Sequence, residues 1–157
     1  MAKTTTAAKT TAQEPVTIES LRKYADYSQV VEIPNFEGDG LMPVRLRRTS
    51  LRGMLTAGKI PNTLMAAAQR LYEGTANSKA SATFADVMRV MDCVVADAMV
   101  APSHKDLRDA DIELTEQQVT AIYAYAQQGA KALEPFRALL AGADAGDDGA
   151  PVQTETK

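Results

Sequence analysis

The sequence has little of what most catalytic or metal sites require. It holds one cysteine, Cys93, one histidine, His104, and no tryptophan. A lone cysteine cannot close an internal disulfide, and that count fits a reducing, cytosolic compartment. A metal site wants further His or Cys ligands at short spacing, and none accompany His104. Cys93 falls inside a helical pattern and reads as a core residue rather than a thiolate nucleophile. No serine stands in a nucleophile-elbow pattern. Gly38-Asp39-Gly40 lacks the later glycine of a dinucleotide loop and reads as a turn. The expectation is a protein that is not an enzyme and takes no cofactor or metal.

Long apolar runs are missing too. Asp92 and Asp97 interrupt the stretch from Val87 to Val100, and nothing approaches the roughly 20 apolar residues of a membrane span. The opening Met1-Ala2-Lys3-Thr4-Thr5-Thr6 has no apolar h-region, so export is not expected. Aromatic residues make up only 5% and the net charge is −3, which argues against a general nucleic-acid binder.

The ends are poor in core-forming residues. Residues 1–15 are mostly threonine and alanine, and residues 141–157 hold one valine among Ala, Gly and acids. Neither can bury enough surface to offset the entropy of ordering it. Both are expected to be disordered tails, the second acidic, leaving one domain over 16–140.

That body reads as mainly α, about five helices with a small N-terminal β-hairpin. Thr17 caps a short helix, Ile18 to Ala25, with Leu21 and Tyr24 on one face. Val30, Val31 and Ile33 form a strand ending before Pro34. After the Gly38–Gly40 turn, Val44 and Leu46 alternate with Arg45 and Arg47 in a second strand. Pro43 lacks an N–H, so that strand is expected at an edge or starting after Pro43. Ser50 caps a turn of helix through Leu51, Met54 and Leu55, closed by Gly58. Asn62 is expected to cap the next, with Leu64, Ala67, Ala68 and Leu71 inward. Residues 75–81 read as a mobile loop. Thr83 with Asp86 opens the clearest helix, on which Phe84, Val87, Met88, Met91, Val94, Val95, Ala98 and Met99 recur at helical spacing until Pro102. Its methionines read as core filler. Thr115 with Gln118 is a capping box for a helix with Val119, Ile122, Tyr123 and Ala126 inward. Leu133, Phe136, Leu139 and Leu140 can pack a last short helix, started or kinked by Pro135, onto the core.

Charge is uneven along this body. Residues 41–72 carry Arg45, Arg47, Arg48, Arg52, Lys59 and Arg70 and no acid, whereas residues 83–116 are predominantly acidic. The plain reading is that the two stretches face and partly neutralise each other. The sharper one makes Arg45, Arg47, Arg48 and Arg52 a partner-binding edge, since arginine pairs carboxylates bidentately and is common in interface hot spots.

Four segments follow one another along the body: Val31-Glu32-Ile33-Pro34 with Val44-Arg45-Leu46-Arg47-Arg48; Gly58-Lys59-Ile60-Pro61-Asn62 followed by Leu64; the helix ending in Met99-Val100-Ala101-Pro102; and Leu114 to Gln118 leading through Ile122–Gly129 to Leu133-Glu134-Pro135-Phe136-Arg137. Together they span about residues 28–137. In this order they resemble the tail assembly chaperones of long-tailed bacteriophages. The resemblance implies a small, mainly helical, non-enzymatic late protein of the host cytoplasm. It implies binding to the tape measure protein, which it keeps soluble, recruitment of tail tube protein, and absence from the mature virion. In many such pairs a longer form arises by programmed frameshifting, so a longer form of this chain is a further expected partner. Two other readings stand beside it: a structural tail or head-completion protein retained in the virion, and a small nucleic-acid-binding regulator.

Overall fold

The computed structural model describes residues 14–25, 27–74 and 81–143. Among them are seven α-helices and three strands, so the chain is mainly helical around a small antiparallel sheet. That is more than the five helices and one hairpin read from the sequence. The segments read as a mobile loop (save Ser81) and most of both tails lie outside the described residues. The last helix runs to Ala143, three residues into the C-terminal tail expected from the sequence.

Thr17 accepts from the Ser20 N–H and starts α1, Ile18–Ala25. Strands β1 (Ser28–Pro34) and β2 (Leu41–Arg47) pair antiparallel, Val31 opposite Val44 and Ser28 opposite Arg47. Val31, Ile33, Val44 and Leu46 point inward and are buried. The sequence reading of β2 needs correction, because β2 is the central strand and begins at Leu41. Pro43 is tolerated for a geometric reason. Asn35 donates to the Gly40 carbonyl, which makes theirs a hydrogen-bonded pair. Alternation then leaves Pro43 and Glu32 a non-bonded pair, with the proline nitrogen facing away from β1. On that side the third strand pairs only with Arg45 and Leu46, so no ladder bond is lost.

Ser50 caps α2 (Leu51–Thr56), and Gly58 follows in the left-handed region at φ 66°. Asn62 is not a side-chain cap; it begins a 3-10 turn, Asn62–Leu64, that leads into α3 (Met65–Glu73). Thr83 caps α4, Phe84–Ala98. The helix does not run on to Pro102. Met99 turns extended, and Met99–Ala101 form β3 beside β2. Proline disfavours helix in the residue before it, and β-branched Val100 suits a strand. Ser103 and Asp106 then form a capping box for α5, His104–Asp109, which the sequence reading missed. Thr115 and Gln118 form the box that opens α6, Glu116–Gln128. A 3-10 turn, Ala130–Leu133, leads to α7, Glu134–Ala143, in which Pro135 occupies the first turn, where its missing N–H costs nothing.

The core lies between the inner sheet face and the helices. Helix α4 packs on α3 and α6, and α6 lies against β1. Val90, Val94 and Ala98 on α4 and Ala121, Ile122, Tyr125 and Ala126 on α6 are fully or almost fully buried. Val94, Val95, Ala98 and Met99 are buried as the sequence pattern expects, whereas Phe84 is exposed, Met91 is only half-buried, and Val90, outside the stripe read in the sequence, is fully buried. Leu139 is also exposed, and α7 is held instead through Leu133 and Phe136.

Candidate partner-binding surface

The basic stretch does two different things. Arg47, at the end of β2, reaches the last turn of α4. Its Nε donates to the Asp97 carbonyl at 2.8 Å and its Nη2 to Asp97 Oδ1 at 2.9 Å. Lys59 Nζ donates to the same oxygen at 2.6 Å, and Thr49 Oγ1 to Oδ2 at 2.6 Å. Burial by itself would push the Asp97 carboxyl up. The hydrogen bonds from Lys59 and Thr49, with the charges of Arg47 and Lys59, outweigh it and hold the group below the usual carboxylate range. Arg48 turns the other way. Its Nη2 donates at 2.6 Å to the Gln127 carbonyl at the C-terminus of α6, where a cation also complements the helix dipole. Its stem lies over Gly129, whose φ of 86° suits glycine.

The plain reading of the charge pattern is therefore realised at Asp97, where acid from one stretch meets cations from the other. Arg47, Arg48 and Lys59 share one groove of about 230 Å³ with Ala25, Ser50 and Asp97. Arg45 and Arg52 do not line it. Both are exposed, and among the described residues their guanidinium groups form no ion pair. Arg45 lies opposite Val30 on the outer face of the sheet.

Beside this groove lie several exposed apolar side chains. No residue of α1 is buried, although its stripe is built like a core-facing one. Val16, Ile18, Leu21, Tyr24, Tyr27 and Val30 are all exposed, with Ile18 at 68% and Tyr24 at 71%. Ala25, at the end of α1, lines the cationic groove, so the apolar stripe and the cations adjoin. Spacing places Leu21 and Tyr24 on one face of the helix but does not encode whether that face is covered.

The remaining reactive groups are structural in their surroundings. Cys93 packs against the edge of the core, and burial, then the charge of Asp92, pushes its thiol up, away from the thiolate. His104 lines a separate cavity of about 380 Å³ with Asp92, Leu107, Arg108, Asp111 and Glu113, and its Nδ1 lies 3.4 Å from Arg108 Nη2. Among the described residues, no three His, Cys, Asp or Glu side chains come together around a possible metal position. Nor is any of their helices long and apolar enough to cross a membrane.

The segments that carry the phage-chaperone resemblance meet in the scaffold. The first forms β1 and β2, and the third ends in β3 alongside them. The second brings Lys59 to Asp97, and the fourth brings Gln118 to the Pro34 carbonyl. No family model, curated protein or solved structure matches this chain.

Proposed function

We propose that this chain is a non-enzymatic tail assembly chaperone of a long-tailed bacteriophage. It binds the tape measure protein in the host cytoplasm, keeps it soluble, helps recruit tail tube subunits and is absent from the mature virion. One observation carries this reading beyond the sequence resemblance. A small helical body leaves the apolar residues of segment 16–30 uncovered next to a groove holding three cations. Contiguous exposed apolar surface with a polar rim marks protein contact. A long helical tail protein, unassembled, exposes apolar helix faces that aggregate unless they are covered.

Co-expression tests the proposal. The tape measure protein of the same phage should stay soluble and co-purify with this chain without added nucleotide. Mass spectrometry of purified virions should find no stoichiometric copy. A chain that binds no tail protein and is recovered in stoichiometric amount from virions is instead a structural component, and the chaperone reading is then wrong.

A further inference from the structure

We infer that α1 and the cationic groove beside it form a docking strip for an amphipathic helix of the partner whose apolar stripe is flanked by acidic residues. The inference rests on the chaperone reading for the partner's identity, but its chemistry comes from the surface. Ile18, Leu21 and Tyr24 recur at helical spacing along α1 and are exposed, so the stripe is formed but uncovered. Arg22 borders the stripe, while Glu19 and Lys23 fall on the far side of the helix. At the C-terminal end of α1 the surface passes into the groove, where Arg47, Arg48 and Lys59 outnumber Asp97. On the adjoining outer sheet face, Val30 sits across from Arg45, and Glu32 is outnumbered there by Arg45 and Arg47. An apolar centre with a net positive border is complementary to an apolar helix with acidic flanks.

A second copy of this chain is a poorer occupant. Helix α1 has eight residues, about 12 Å of length. Two such helices alone fall short of the roughly 1,200 Å² that stable interfaces bury. A longer partner helix can lie on α1 and continue over the groove, covering both.

The test uses the full-length protein and a labelled synthetic helix of about 20 residues, with leucines in an i, i+3, i+4, i+7 stripe flanked by glutamates. A control peptide carries lysines at the flanking positions. By fluorescence anisotropy at low salt, the glutamate peptide should bind at least about tenfold more tightly than the lysine peptide, and added salt should narrow the gap. Leu21→Asp with Tyr24→Asp changes only exposed positions, so circular dichroism should be unaltered while binding is lost. Arg45→Glu should weaken the glutamate peptide selectively. Equal affinity for both peptides, or binding indifferent to the α1 variants, overturns the inference. So does self-association abolished by Leu21→Asp without peptide binding, which makes the occupant a second copy. Preference for anionic phospholipid vesicles over the peptide overturns it in favour of a membrane surface. Co-purification separates the two levels. If the tape measure protein is retained equally by the Leu21→Asp, Tyr24→Asp variant, the chaperone reading stands and the docking strip is wrong. If the glutamate peptide binds at α1 but no tail protein does, the docking strip stands and the chaperone reading is wrong.

Discussion

The Gln118 side chain donates from Nε2 to the Pro34 carbonyl at 3.0 Å, joining residues 84 apart in sequence. Both are buried, Gln118 completely. Pro34 pairs with Leu41 in a non-bonded position, so its carbonyl points away from β2 and has no ladder partner. The other end of the same amide, Oε1, accepts from the Thr115 N–H at 2.9 Å and completes the capping box of α6. One side chain thus starts a helix and satisfies the sheet edge. Gln118→Met keeps the volume and leaves both backbone groups unpaired. It should lower unfolding free energy by about 1–3 kcal/mol, chiefly from the buried Pro34 carbonyl, because the part-buried Thr115 N–H can reach water. Urea unfolding with an unchanged m-value and an unchanged midpoint would show that these bonds contribute nothing.

Asp97 gives the fold a defined response to acid. Its carboxyl is held below its ordinary range in the folded state. Folding stability from this group is therefore fully present above the unfolded-state pKa, about 3.9, and is lost as pH falls through the lower folded value. Asp97→Asn removes it. Because Arg47 and Lys59 are about half exposed, the gap between wild type and Asp97→Asn at pH 7 should be only about 1 kcal/mol. It should close as the pH drops below the carboxylate range. A gap that persists unchanged into strong acid would mean that packing, not charge, holds this junction.

Helix α4 shows how far pattern reading reaches. Thr83, Asp86 and the helical spacing marked its existence and its start, because caps and period are local properties of the chain. Its inward direction is set by α3, α6 and the sheet, which spacing does not encode when apolar residues are as dense as they are here. Val90 is fully buried and Met91 half-buried. Val90→Asp should cost several kcal/mol, enough to unfold the domain, whereas Met91→Asp should leave a folded protein of reduced stability. Thermal melts of the two, read beside exposed Asp92→Asn as a neutral control, decide between the two faces.

The same limit applied to β3 and α5. Three residues of strand carry too little pattern to stand out beside a long helix, and Met99–Ala101 become a strand only because β2 lies alongside. Helix α5 did announce itself through Ser103 and Asp106, but its single buried residue, Leu107, gives no periodicity. In the candidate surface, charge clustering located the arginines. Their division into internal and outward roles depends on Asp97 and Gln127, which are 50 and 79 residues away from their partners Arg47 and Arg48.

That division predicts how the four arginines differ. Arg47→Glu would set a second carboxylate against Asp97, and Arg48→Glu would set one against the carbonyl end of α6, where negative charge is already disfavoured. Each should lower stability by about 1–2 kcal/mol, since like charges meet and a hydrogen bond is lost. Arg45→Glu and Arg52→Glu break no ion pair among the described residues. Both are exposed, so each should stay within about 0.5 kcal/mol of wild type. Differential scanning calorimetry of the four reversals checks the ranking directly. If Arg45→Glu melts as early as Arg47→Glu, the outer sheet face is held by its own charge network. If all four melt with wild type, the bonds to Asp97 and Gln127 are not maintained in solution, and all four arginines are then equally free to meet a partner.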